Sequence, residues 1–240
     1  MTMIAANLQH VETRIAQACA QSGRARDAVR LLAVSKTFSA DAVAQAHACG
    51  QTAFGENYIQ EAVDKIQALC HLPLEWHCIG PIQSNKTRLV AEHFDWVHTI
   101  DRLKIAQRLS EQRPSHLAPL QVCIQVNVDG GASKSGVPAP QALALAQSVA
   151  ALPGLCVRGI MCIPDPAPDF IAACAVFTRA RELFDTIRLA GLPLDTLSMG
   201  MSGDLEAAIA SGSTMVRIGS AIFGLRPPPY AVSTSAAQSV

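Results

Sequence analysis

In LLAVSKTF, residues 31–38, five residues that suit a buried strand are followed by Lys36. An ammonium at the top of an apolar strand is partly desolvated, which frees the amine. A neutral amine attacks an aldehyde and forms a Schiff base. The plainer alternative is a lysine that snorkels to water at a strand end. The chain has five lysines, at 36, 65, 86, 104 and 134. Lys65 and Lys104 fall in helical patterns and read as solvated faces. Lys86 and Lys134 fall in loops and could face a site at the strand ends.

Two later stretches indicate what such an amine would hold. MGMSGD (199–204) combines two glycines with Ser202, and RIGSAIFG (217–224) offers the amides of Gly219 and Ser220 with a hydroxyl. Backbone N–H groups at the start of a helix bind phosphate, although Gly and Ser also serve ordinary turns. Asp204 and Glu206 stand near the same helix start and must point away from an anion. Arg217 falls between lysine and cradle; a structural salt bridge is the alternative for it. An aldehyde for Lys36, a phosphate for Ser202, Gly219 and Ser220, and a ring nitrogen for Arg217 together describe pyridoxal phosphate. An arginine stays charged, so the ring nitrogen would stay unprotonated and the cofactor would be a weak electron sink.

These groups need a frame that brings distant positions to one rim. Eight short apolar runs recur at 31–36, 52–55, 76–80, 96–100, 120–128, 155–163, 194–199 and 214–218. Helical patterns lie between them, at about 40–49, 57–69, 85–92, 101–110, 139–151, 169–189 and 203–211. Strand–helix alternation demands crossovers and a parallel sheet. Eight units in 240 residues predict α/β architecture as a single (β/α)8 TIM barrel, with function at the C-terminal strand ends. An open doubly wound sheet is the alternative. His77 and Asn57 then also fall near strand ends. Ile4, Leu8, Val11, Ile15 and Cys19 recur at helical spacing, so an extra N-terminal helix completes the outer ring. The barrel is expected over 1–226, with a Pro-, Ser- and Ala-rich flexible tail over 227–240.

Composition narrows the class. Nineteen basic residues balance nineteen acidic ones, and aromatics make up 5%. Neither charge nor stacking surface favours nucleic acid or a membrane. The uncharged segment 135–157 is broken by Pro138, Pro140, Gln141, Gln147 and Pro153, which excludes a span. The eight cysteines form no C-x-x-C pair and read as reduced thiols, mostly in the core. CHLPLEWHC (70–78) matches no zinc spacing, so no metal is expected. The N-terminus lacks the pattern of a signal peptide, and a cytoplasmic protein is expected.

AVSKTF, FGENYIQEAVDKI, WHCIGPIQSNKTRLV, SKSGV, RGIMCIP and LSMGMSGDLEAAIASGSTMVRIGSAIFG occur in this order over about residues 30–225. They resemble the pyridoxal phosphate homeostasis protein family, which is similar to the barrel domain of alanine racemase, a fold-type III fold. The resemblance implies that Lys36 carries the cofactor and that Asn57, Ser202, Arg217, Gly219 and Ser220 line it. Met199 would contact the ring and His77 would belong to the same site. Lys134, in SKSG, matches a second family lysine that could accept cofactor transiently. The family is taken to buffer pyridoxal phosphate and supply it to apo-enzymes, without a settled catalytic activity. This chain has no lysine after 134 to offer from its tail. An amino-acid racemase remains the alternative function. Racemisation needs a second acid/base group, and Tyr58 and Tyr230 are the two tyrosines present. A Schiff-base aldolase or phosphosugar isomerase is a third. A bare barrel without the racemase's dimerising domain is expected to be monomeric.

Overall fold

The computed structural model describes residues 2–131 and 134–225. Helix α1 (Met3–Gln21) leads into β1 (Arg30–Val34), α2 (Ala40–His47), β2 (Ala53–Glu56), α3 (Ile59–Ala68) and β3 (Glu75–Cys78). Then follow α4 (Thr87–His93), β4 (Trp96–Ile100), α5 (Leu103–Gln112) and β5 (Leu120–Asn127). A two-residue strand β6 (Val137–Pro138), α6 (Ala142–Ala150), β7 (Leu155–Met161) and α7 (Phe170–Leu189) come next. The described chain ends with β8 (Thr196–Ser198), α8 (Leu205–Ala210), β9 (Met215–Ile218) and α9 (Ser220–Phe223).

The eight expected strands are β1–β5 and β7–β9. Each pairs in parallel with its neighbours, β4 pairs β5, and β9 returns to β1, so the sheet closes into an eight-stranded barrel. The open sheet is thereby excluded. Closure explains the near-continuous apolar runs, because a barrel strand is covered on both faces. All five residues of β4 are buried. The small β6 hangs from β5 alone.

Helix α1 buries Ile4, Leu8, Val11, Ile15, Ala18 and Cys19, one apolar stripe at helical spacing. It packs against α8, α9 and α2, filling the last place in the outer ring. Arg14 pairs with Glu206 at 2.8 Å, and Asn7 Nδ2 donates to the Ile222 carbonyl at 2.9 Å. Among the described residues, helix α9 is the α-helix that the sequence pattern did not resolve. The segment 135–157 divides among β6, α6 and the start of β7, and no helix among the described residues is long and apolar enough to cross a membrane. All eight cysteines are free; four are buried, and Cys49 and Cys70 are exposed. The expected tail at 227–240 lies outside the described residues.

Candidate functional site

A cavity of about 300 Å³ is lined by Lys36, Asn57, Ser202, Arg217, Gly219 and Ser220, six of the eight residues picked from the sequence. They follow or end β8, β9, β1 and β2, which are successive neighbours round the barrel. One arc of the C-terminal rim therefore carries them all. Val34, Phe38, Ile79 and Ile163 supply apolar walls.

Strand β1 stops at Val34, two residues before Lys36. Ser35–Phe38 is instead a reverse turn, closed by the Phe38 N–H donating to the Ser35 carbonyl at 3.0 Å. Thr37 sits in it with φ of 70°. That backbone is usually left to Gly or Asn at the third position of a type II turn. A residue held there carries strain of about 1–3 kcal/mol and persists only where its surroundings over-determine it.

Those surroundings are charged and buried. Lys65 is 6% exposed, which corrects its reading as a solvated position. Its ammonium donates to the Ser35 carbonyl at 2.8 Å, to Glu56 Oε1 at 2.8 Å and to Glu61 Oε1 at 2.6 Å. Ser35 Oγ donates to the same Glu56 oxygen at 2.6 Å, and the Thr37 N–H donates to Glu61 at 2.7 Å. Burial pushes the Glu56 pKa up, and the adjacent Lys65 opposes that rise. Glu61 and Lys65 are four residues apart, the spacing of an ordinary surface pair. They are drawn in because α3 buries Ile59, Ala62, Val63 and Lys65.

Arg217 is held from the barrel interior. It is 4% exposed and donates to the carbonyl and hydroxyl of Ser198, both at 2.7 Å, and to the Cys162 carbonyl at 2.9 Å. The Ser198 hydroxyl meets His98 Nδ1 at 3.0 Å, His98 Nε2 meets His77 Nδ1 at 2.9 Å, and His77 Nε2 meets Glu75 at 2.6 Å. Glu75 in turn pairs with Arg30. The two ends dictate every proton between them. A guanidinium only donates and a carboxylate only accepts. Hence His77 Nε2–H donates to Glu75, His98 Nε2–H donates to His77, and the Ser198 O–H donates to His98. Both imidazoles are neutral in this arrangement. Burial lowers the pKa of His77 and drives that of His98 well below the ordinary value. Desolvation works against the Glu75 carboxylate, but His77 and Arg30 outweigh it and bring its pKa to about 2.

His77 therefore does not reach the cavity. It is fully buried, both its nitrogens are engaged, and its ring stacks on Trp96 at 5.2 Å. Met199 does not line the cavity either. Its side chain is fully buried in the main core, and its carbonyl accepts from Ser213 Oγ at 2.6 Å. Met201, two residues on, lines the cavity instead.

The two carboxylates beside the glycine–serine turns are engaged by other groups. Asp204 turns back to accept from the Met201 N–H at 2.6 Å, and Glu206 is bound by Arg14. Gly200 has φ of 98°, and a Cβ there would stand 2.5 Å from that of Ala208. The Ala208 side chain of α8 thus packs close beneath the turn. Among the described residues, Asn57 Oδ1 is buried with no hydrogen-bond partner, so the cavity wall holds a polar atom that no protein group satisfies.

The sequence matches the family described as Alanine racemase, N-terminal domain, over residues 6–227. The Pyridoxal phosphate homeostasis protein of Pseudomonas aeruginosa is 58% identical over 226 residues, spanning 94% of this chain and 97% of that one. The protein of the same name from Vibrio cholerae is 56% identical over 230 residues, spanning 94% and 98%. The chain belongs to the pyridoxal phosphate homeostasis protein family. A solved structure of PipY from Synechococcus elongatus, with PLP bound, is 36% identical with a TM-score of 0.77, covering 88% of this chain and all of PipY. An alanine racemase from Clostridium difficile is similar in fold alone, at 15% identity and a TM-score of 0.72. It covers 93% of this chain, which spans 58% of the racemase.

Family motifs also account for residues that the sequence reading passed over. FGENYIQEAVDKI contains Glu56, Glu61 and Lys65 as well as Asn57. The motif WHC carries His77, the predicted strand WVHTI carries His98, and period-two alternation already places Trp96 with His98, and Glu75 with His77, on common faces. The family lysine Lys134 lines a neighbouring cavity of about 590 Å³ that shares Ile163, Met201 and Gly203 with the first. It pairs with Asp165 at 2.5 Å. Lys86 lines neither cavity, and Lys104 is exposed.

Proposed function

We propose that this chain holds pyridoxal phosphate as a Schiff base on Lys36 and takes part in intracellular homeostasis of that cofactor, releasing it to apo-enzymes. The observation that carries this reading is the set of groups lining one cavity. An amine, an unsatisfied buried amide oxygen, two glycine–serine turns and a held arginine surround a space open to small molecules. Kinship with PipY, solved with PLP bound, supports the same ligand.

The residues fit that group. Pyridoxal phosphate supplies an aldehyde that condenses with an amine, and a ring that can accept electrons. Lys36 is the amine. Ser202 and Ser220 offer hydroxyls to the phosphate, and the amides of Gly219 and Ser220 stand at the start of α9, where a helix leaves its first N–H groups without intrahelical partners. Asn57 offers the unsatisfied oxygen. Arg217 presents N–H donors toward the ring nitrogen, which then remains an acceptor without a proton. That suits retention and release better than carbanion chemistry. His77 and Met199 are buried away from the cavity and are not proposed as contacts. In this reading Lys134, which lines the neighbouring cavity, is a second lysine that accepts the cofactor transiently. We read the carrier as a cytoplasmic monomer.

The racemase alternative requires a second acid/base group facing the substrate carbon. Tyr58 is 55% exposed and does not line the cavity. Tyr230 lies outside the described residues. An aldolase or isomerase would need the same lysine without the cofactor, and its purified form would be colourless. The test is the visible spectrum of the purified protein and of Lys36→Ala, before and after borohydride. A yellow protein, reduced with the label on Lys36 and colourless in the variant, is expected. Failure to load with pyridoxal phosphate would overturn the reading.

A further inference from the structure

We infer that Glu56, Glu61 and Lys65 form a clamp whose role is to position Lys36, by holding the strained turn on either side of it. The inference rests on the reading of Lys36 as the cofactor-bearing amine. Its basis is an arrangement of contacts around the residue. The peptide before Lys36 is gripped twice: the Ser35 carbonyl accepts from Lys65, and the Ser35 hydroxyl donates to Glu56. The residue after it is gripped once, by the Thr37 N–H on Glu61. Lys65 ties the two carboxylates together, so the grips on both sides converge on a single ammonium.

Three features exceed what folding alone would ask for. First, the ion cluster is buried: the Lys65 and Glu56 side chains are 7% and 0% exposed. Apolar side chains would stabilise such a site as well or better, so buried ion pairs are weak as stability devices and better suited to fixing a geometry. Second, Glu56 Oε2 and Thr37 Oγ1 are buried without hydrogen-bond partners among the described residues. Third, the held conformation is costly. Thr37 is the described non-glycine residue with positive φ, and it is the residue next to Lys36. Strained backbone maintained by redundant contacts is a means of pre-organising a reactive group. Phe38, at the end of the turn, lines the cavity beside Lys36, so the turn sets both the amine and its apolar wall.

Glu56, Glu61 and Lys65 are thus positioning residues. None of them lines the cavity. The turn strain provides the means to separate positioning from mere stability. If the clamp exists to hold Thr37 at positive φ, a glycine at 37 adopts that backbone without help. Thr37→Gly should then relieve a protein whose clamp has been cut, while a purely structural loss at Lys65 would be unmoved by it.

The experiment measures the rate at which pyridoxal phosphate becomes borohydride-fixed on Lys36, read by peptide mass, in the wild type, Lys65→Met, Thr37→Gly and the double variant. Cooperative thermal unfolding serves as the check on folding. Lys65→Met is expected to slow attachment about tenfold or more, since small misplacements of a reacting group cost that much. Thr37→Gly should restore at least a third of the wild-type rate in the double variant. Folded Lys65→Met with the wild-type rate, or a slow rate that Thr37→Gly leaves unchanged, would overturn the inference. Should Lys65→Met fail to fold, Glu61→Ala carries the test, because that carboxylate is 33% exposed. A fall of about threefold with rescue by Thr37→Gly is then expected, and an unchanged rate counts against the clamp. A wild type that cannot be labelled on Lys36 at all would instead remove the proposed function.

Discussion

Behind Lys36 lies a charged cluster, Glu56, Lys65 and Glu61; behind Arg217 lies a neutral file, Ser198, His98 and His77, ending on Glu75. Both are buried at their centres, with Glu61 and Glu75 half-buried at their outer ends, and both lie behind one cavity, yet they act on different things. The cluster grips peptide groups and fixes a turn. The file grips a guanidinium and fixes its direction through four hydrogen bonds, with each proton assigned by the charged groups at its ends. Charge pairs tolerate small displacements but are costly to bury singly. A hydrogen-bond file is directional, and its members need carry no net charge. Lys36 is therefore placed by backbone geometry, and Arg217 by side-chain geometry.

Cutting the charged side should hurt most. Lys65→Ala leaves Glu56 buried without its cation and should cost about 3–5 kcal/mol, read as a lower urea midpoint. A loss below about 1 kcal/mol would mean that water replaces the ammonium and that the contrast is overstated. On the neutral side, His98→Phe leaves the Ser198 hydroxyl and His77 Nδ1 without their partner. About 1–3 kcal/mol is expected by the same measurement, with a change in the visible spectrum of bound cofactor as Arg217 loses its backing.

Acid separates the two regions further. The pKa values of His77 and His98 are lowered by folding. The unfolded chain therefore binds protons that the native state refuses, starting near the ordinary histidine value of about 6.5. Their contribution is fully present above that pH and is lost as the pH falls below it. Glu75, at about 2 in the fold, adds a second loss beginning near the ordinary carboxylate value of about 4.3. The melting temperature should decline from pH 7 to 5, and His77→Asn with His98→Asn should flatten that slope. An unchanged slope in the double variant would assign the acid sensitivity elsewhere. Smallest of all should be Arg14→Ala. Its partner Glu206 is 41% exposed, and solvent screening holds the effect to about 0–1 kcal/mol, weaker still in high salt.

The strands, their order and the rim were legible because apolar runs and glycine–serine turns are local signals. Lys36, Ser202 and Arg217 were readable for the same reason, as polar residues at the ends of apolar runs. Lys65 was not. Its spacing from Glu61 is equally that of a solvated pair, and only the packing of α3 decides between them. His77 was legible as a strand residue, but alternation does not say which face a closed barrel turns inward. Met199 was misplaced by two residues for a related reason, since the chain leaves β8 at Ser198 and the turn reassigns the faces beyond it. The φ of Thr37 had no sequence signal, because threonine is an unfavourable choice for that backbone.

Helix α1 binds elements at the far end of the chain. Asn7 bonds to Ile222, 215 residues away, and Arg14 donates to the carbonyl of Ser202 as well as to Glu206. During synthesis α1 can meet α2 early, but its contacts with α8 and α9 must wait until the end of the chain emerges. The turns proposed to hold the phosphate are the same ones that dock it. On the proposed reading, ligand capture and the docking of the first helix share one turn: Ser202, offered to the phosphate, also carries the carbonyl that receives Arg14.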